Sequence, residues 1–210
     1  MISLKDDFNT KDTKGRKLVH YAACSSSPQN IRVLMKNGVD TRDIDLLKKT
    51  PLMYACEAGR EEVVQVLMEP SKSNIEGKDN FGNCAIHYAV KHQHLGCLRR
   101  LIEAGADVNR LGPNGKTPLH ISAGLNNVEI TKFLIEHGAK TTSKDKFGRS
   151  ALIFAVMNGS LQCASILLSH GAPFDQPDRS NNYPLHYACA YGYVEMIELL
   201  MEAGCDPNVT

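Results

Sequence analysis

No stretch of this 210-residue chain approaches the roughly 20 consecutive apolar residues that cross a bilayer. Even Ala151-Leu152-Ile153-Phe154-Ala155-Val156-Met157 is too short. Met1 to Thr10 carries charged residues and no apolar stretch, so no signal peptide is visible. The seven cysteines form no C-x-x-C pair. Cys56, Cys97, Cys163 and Cys189 stand at apolar helix positions, which fits buried thiols in a reducing compartment, and Cys205 is expected to be more exposed. No glycine-rich phosphate loop follows a strand pattern, carboxylates are scattered, and Ser25-Ser26-Ser27-Pro28 reads as a helix cap followed by proline. His92 and His94 are two apart at a helix end and do not face the same way, too few for a zinc site that needs four convergent ligands. Neither charge sign dominates, with 24 Lys and Arg against 23 Asp and Glu. The expectation is an intracellular chain, cytoplasmic or nuclear, without catalysis, metal or cofactor.

What the sequence does contain is a repeat. Gly15, Lys48, Gly82, Gly115, Gly148 and Asn181 open six comparable segments separated by 33, 34, 33, 33 and 33 residues. A period of this length marks stacked supersecondary units, and such stacks offer an extended surface rather than a pocket. In Thr50-Pro51-Leu52 and Thr117-Pro118-Leu119 the threonine suits an N-cap and the proline suits the first helical turn, so a first helix starts there. Small residues follow, such as Ala55-Cys56 and Ser122-Ala123. Apolar residues at helical spacing come next, such as Ile130, Phe133 and Leu134, and form a second helix. It stops at Gly38, Gly105, Gly138, Gly171 and Gly204, where glycine can adopt the left-handed conformation. Asp79-Asn80-Phe81-Gly82 and Asp145-Lys146-Phe147-Gly148 carry the residues of tight turns.

Gly115-Lys116-Thr117-Pro118-Leu119-His120 and Gly105-Ala106-Asp107-Val108-Asn109 resemble the ankyrin repeat, and the likeness covers essentially the whole chain. It implies an all-α solenoid of helix-turn-helix units joined by β-hairpin-like turns. One ankyrin-repeat domain is expected over 1–210, with a partial turn over 1–14 and repeats at 15–47, 48–81, 82–114, 115–147, 148–180 and 181–210. The resemblance assigns His20, His87, His120 and His186 to hydrogen bonding between neighbouring loops. His137 and His170 fall at second-helix C-termini, where the helix dipole favours a cation. Three departures mark weaker joints: Pro70-Ser71-Lys72 in place of His-Gly-Ala, Gly112-Pro113 where a turn aspartate is expected, and Ser150-Ala151-Leu152-Ile153 in place of Thr-Pro-Leu-His. Asp7-Phe8-Asn9 and Asp206-Pro207-Asn208 look like turn entrances of further repeats, and Met196 and Leu200 of the last helix are expected to need a cover. The chain therefore reads as part of something longer.

In the family, variable turn and first-helix positions line the concave groove. Carried over, 36 such positions hold 11 basic residues and one acid, Glu57, leaving 13 basic and 22 acidic residues elsewhere. Counting the turn aspartates Asp12, Asp45, Asp79, Asp145 and Asp178 reduces the excess to +5 without changing its sign. The resulting candidates for partner binding are Leu46, Leu47, Lys49, Phe81, Lys91, His92, Leu111, Lys116, Lys144, Lys146, Phe147, Arg149, Met157, Arg179 and Tyr191. Lys116, Lys144, Lys146 and Arg149 are expected to form one basic tract. Basic charge and apolar anchors point to an acidic protein or peptide with apolar side chains. Phe81 and Phe147 could equally pack on adjacent turns and stiffen the array. Nucleic-acid binding by lysines and stacking aromatics is the alternative. The resemblance also offers Asn109, after Asp107-Val108, as a site of asparagine hydroxylation; its other reading is a turn asparagine.

Overall fold

Each repeat begins at a backbone position that only a few residues tolerate. All six segment-opening residues, from Gly15 (φ 75°) and Lys48 (φ 58°) to Gly148 (φ 80°) and Asn181 (φ 61°), adopt the left-handed conformation. The structure, a computed structural model of the chain, describes residues 8–69 and 75–208. The Pro70-Ser71-Lys72 departure lies outside them, and so does Asp7. Twelve α-helices are present among the described residues. The chain divides into two compact units, Met1–Asp107 and Val108–Thr210.

Unit 1 holds α1 (Leu18–Cys24), α2 (Pro28–Lys36), α3 (Pro51–Glu57), α4 (Glu61–Met68), α5 (Ala85–Lys91) and α6 (Leu95–Glu103). Within each repeat the first helix packs on the second. First helices α1, α3 and α5 also pack in sequence, as do second helices α2, α4 and α6. The core is aliphatic, with Leu52, Met53, Ile86, Leu98 and Leu101 fully buried, each contributing on the order of 2 kcal/mol. Alanines make the close approach possible: Ala23, Ala55 and Ala89 have no exposed surface.

Unit 2 repeats the plan with α7 (Pro118–Gly124), α8 (Val128–Glu136), α9 (Ala151–Met157), α10 (Leu161–Ser169), α11 (Pro184–Tyr191) and α12 (Val194–Glu202). Leu119, Ile130, Leu134, Leu152 and Ile153 fill its core. The Ser150-Ala151 departure does not disturb the helix start, because Ser150 Oγ accepts from the Ile153 N–H at 3.3 Å and replaces threonine as cap.

The burial or exposure of four residues corrects the sequence reading. Met196 (2 % exposed) and Leu200 (0 %) are buried, and the uncovered apolar residues of α12 are Val194 (64 %) and Met201 (40 %). Cys189 is exposed rather than buried, and Cys205 is buried rather than exposed. Burial pushes the Cys205 and Cys97 thiols up to about 11.

Candidate functional site

Turn aspartates build the exposed tips. In unit 1, Asp45 Oδ1 accepts the Leu47 and Lys49 N–H groups, both at 2.8 Å, while Oδ2 accepts the Tyr54 hydroxyl at 2.8 Å. Asp79 does the same with Phe81 N (2.9 Å), Asn83 N (2.8 Å) and the Tyr88 hydroxyl (2.7 Å). The side chains between these anchors are forced outward: Leu46 is 68 % exposed and Phe81 63 %, with Ile44 and Leu47 also exposed. Successive tips are joined by backbone hydrogen bonds, Leu46 N to Lys14 O at 3.0 Å and Asn80 N to Leu47 O at 2.8 Å.

The Asp–Tyr pair recurs nine residues apart, and this spacing went unread in the sequence. It joins Asp12 to Tyr21, Asp45 to Tyr54, Asp79 to Tyr88 and Asp178 to Tyr187. Partial burial works against ionisation of Asp79, but hydrogen bonds from Tyr88, Asn83 and the Phe81 backbone outweigh it and hold the carboxyl below its usual range. Burial, reinforced by the bond to Asp178, pushes the Tyr187 hydroxyl up to about 12.

Lys49 is not a solvent-facing groove residue. It is 8 % exposed, its ammonium 4.3 Å from the Tyr54 ring centre and 4.5 Å from that of Tyr88, and it is ion-paired with Glu57. His92 approaches the same carboxylate at 3.7 Å, and His94 Nε2 lies 3.2 Å from the Glu57 carbonyl oxygen. The two histidines therefore converge on one residue after all, Glu57, although among the described residues no group of three or more His, Cys, Asp or Glu side chains could hold a metal. Lys91 is exposed at the end of α5.

In unit 2 the tips follow the same rule. Lys146 N donates to Asn114 O (2.8 Å) and Arg179 N to Phe147 O (2.9 Å). Gly112 has no side chain to replace the turn aspartate, and a short 3-10 turn over Pro113–Gly115 with Asn114 in the left-handed region (φ 58°) closes that loop instead. Lys116 lies 4.8 Å over Phe154, and Arg149 lies 4.6 Å over Phe147 and 4.7 Å over Phe154. Phe154 stands where a tyrosine stands in four repeats, and Asp145 is held by Arg149 through Nε (3.0 Å) and Nη2 (2.7 Å), as Asp12 is held by Arg16. Arg149 is thus half-buried and already paired. Lys146 sits 5.0 Å over Phe147, Lys144 donates to Pro177 O at 3.2 Å, and Arg179 is exposed. Leu111 (53 % exposed), Phe147 (46 %) and Tyr191 (51 %) are surface residues, and Met157 is half-buried.

A family model for ankyrin repeats matches three times, at residues 1–79, 71–145 and 140–210. The chain belongs to the ankyrin-repeat family. It is 31 % identical over 120 residues to neurogenic locus notch homolog protein 2 of Homo sapiens, a match covering 57 % of this chain and only 5 % of that protein. The putative ankyrin repeat protein FPV223 of Fowlpox virus is 28 % identical over 127 residues, 60 % of this chain and 88 % of that one. The crystal structure of the ankyrin repeat domain of Bcl-3, a member of the IkappaB protein family, superposes with a TM-score of 0.83. It is 29 % identical and covers 94 % of this chain and 90 % of that chain. The human ASB11 ankyrin repeat domain is similar in fold, with a TM-score of 0.82 at 23 % identity over 92 % and 86 % of the two chains. Ankyrin repeats generally serve as protein–protein interaction modules and are generally not enzymes.

The histidines of these ankyrin repeats have a local task that the sequence did not disclose. His20, His87, His120 and His186 each accept, through Nδ1, the backbone N–H of the residue that caps their own helix, at 3.0 to 3.3 Å. This is a capping box in which imidazole takes the place of glutamate. His120 also makes the inter-loop bond implied by the family, its Nε2 lying 3.0 Å from Arg149 O in the next turn. His137 and His170 stand at helix C-termini with Nδ1 2.7 Å from Phe133 O and 2.8 Å from Ile166 O. Asn109 is tied at both ends of its amide: Nδ2 donates to Gly138 O (3.0 Å) and Oδ1 accepts from Lys140 N (2.9 Å). No helix among the described residues is long and apolar enough to cross a membrane.

Proposed function

We propose that this chain is a non-catalytic recognition module that binds an acidic segment of a protein or peptide with apolar anchors through its turn tips, and that it serves as the adaptor or targeting part of an intracellular protein. One observation carries the reading. The hydrogen-bonded tips of unit 2 present Phe147, nearly half exposed, among Lys144, Lys146 and Arg179, none of them ion-paired within the described residues. Unit 1 supplies separate exposed apolar side chains at its tips, Leu46, Leu47 and Phe81. An acidic ligand would gain charge complementarity at exposed cations and bury an aromatic anchor.

Lys49 and Arg149 have their charges matched already, so a partner would meet them as ring-packed stems rather than as free cations. The test follows from that distinction. Reversing Lys144, Lys146 and Arg179 to Glu should slow association with the native partner, captured from its own cell, by roughly tenfold or more at low salt and change dissociation less. Surface plasmon resonance reads both rates; an unchanged association rate would remove steering by this tract. A fluorescence titration with a random-sequence oligonucleotide distinguishes the other ligand class, since tight, steeply salt-dependent binding would favour nucleic acid.

Asn109 hydroxylation belongs to the same reading as a modification of the turn. Because both ends of the amide are engaged, access to its β-carbon requires the loop to open. Mass spectrometry of the protein from its native cell that finds only unmodified Asn109 would discard it.

A further inference from the structure

The second helices of unit 2 carry a groove that shares no residue with the turn tips. It has a volume of about 580 Å³ and runs over α8, α10 and α12. Its apolar floor is formed by Val128, Leu161, Ile166 and Leu199, all partly exposed. Glu195, Glu198 and Glu202 line one wall. Spaced by three and four residues, they form a single stripe along α12. A second depression of about 270 Å³ continues the groove past Leu161 and Glu195 to the exposed Val194.

The charges of this wall have no counterpart in the fold. In unit 1, acids on the second-helix side meet arginines from neighbouring helices: Glu61 meets Arg100 at 3.0 Å, and Glu69 meets Arg32 at 3.2 Å. In unit 2 the residues one repeat before the three glutamates are Gln162, Ser165 and Ser169, which are neutral. No ion pair joins Glu195, Glu198 or Glu202 to any described residue. Lys132 is the one cation lining the groove, leaving three negative charges against one positive beside an apolar floor.

We propose that this groove docks a basic amphipathic segment of a partner protein, its apolar side chains on the floor and its lysines or arginines against the α12 glutamates. The occupant must be basic because the wall is acidic and uncompensated. It must be amphipathic because floor and wall lie side by side. Three packed helices about 9 Å apart span about 18 Å, the length of roughly twelve helical residues. The inference is independent of the turn-tip reading.

The test uses the whole 210-residue chain. A synthetic amphipathic peptide of leucine and lysine is titrated while ¹H–¹⁵N correlation spectra are recorded, beside a peptide of the same pattern with glutamate for lysine. Saturable shifts at Gln162, Ser165, Ile166 and Leu199 with the lysine peptide alone are expected. The double variant Glu198→Gln, Glu202→Gln should weaken them by roughly tenfold, with helical circular dichroism unchanged as a check on folding. The turn-tip reversals should leave them in place. Equal binding of the glutamate peptide, shifts centred instead on the Glu61 and Glu62 face of α4, or indifference to the double variant would each overturn the proposal. Sedimentation showing a dimer that the double variant dissociates would overturn it in favour of a second copy of this chain.

Discussion

Asp12 shows how a single residue can set up a turn. Partial burial works against its ionisation, yet hydrogen bonds from Tyr21, Arg16 and Lys14 hold its carboxyl well below the usual range. Asp79, Asp145 and Asp178 are likewise lowered. For a carboxylate with a depressed folded pKa, stability is fully present above the unfolded value, about 4, and is lost as pH falls through the folded one. His20 and His120 are lowered chiefly by burial. Their neutral forms are the stabilising ones, so that contribution fades as pH drops below about 6.5. Thermal melts should therefore decline in two stages, a shallow one below about pH 6.5 and a steeper one below about pH 4. A His120→Gln variant should flatten the first stage only. Lys48 yields a second residue-scale prediction, because it is exposed and holds φ 58°, a conformation that strains a side chain and suits glycine. Lys48→Gly should stabilise the protein by up to about 1 kcal/mol in urea unfolding, the relief of strain exceeding the added chain entropy.

At the scale of elements, the joined turns are what hold one repeat to the next along the tips. A β-carbon on Gly148 would lie 2.9 Å from the Arg179 backbone nitrogen, which donates to Phe147 O. Gly138 has a similar φ of 88° and nothing within 4 Å. Gly148→Ala should consequently cost about 2–3 kcal/mol, combining backbone strain with loss of the inter-turn bond, whereas Gly138→Ala should cost about 1 kcal/mol for strain alone. Equal losses in urea unfolding would show that the turn ladder adds nothing. Helix starts were legible from Thr50-Pro51 and Thr117-Pro118, because caps and proline act within one turn of chain. The histidine caps were not, since the same residue could serve its own helix or the next loop, and His120 serves both.

Across the molecule, stability is distributed unevenly within unit 2. Helix α9 buries Ala151, Leu152, Ile153, Phe154, Ala155 and Val156, and α10 buries Cys163, Ala164 and Leu167. Helix α11 buries only Pro184, Leu185 and Ala188, and α12 only Met196 and Leu200. Amides over 184–202 should exchange with a lower opening free energy than those over 151–169. Hydrogen exchange read by mass spectrometry checks this, and equal protection of the two helix pairs would contradict it. The apolar exposure responsible lies on Val194 and Met201, not on the buried Met196 and Leu200.

The period of 33 or 34 residues, the helix pairs and the left-handed punctuation were determined by the sequence alone, because caps, prolines, glycines and helical spacing act over a few bonds. Membership of the ankyrin-repeat family follows from the same signals. Which charges remain available was decided only by the tertiary structure. Lys49 finds Tyr54 and Glu57 in its own repeat and Tyr88 in the next, 39 positions on in the chain. Arg149 closes on Asp145 within its own turn, as Arg16 closes on Asp12. Both bear the same formal charge as Lys146 and Arg179, but they stand four residues after a turn aspartate rather than one. What that position does not state is the ring of the next repeat, because Tyr88 comes to 4.5 Å from the Lys49 ammonium only when the repeats are folded against one another.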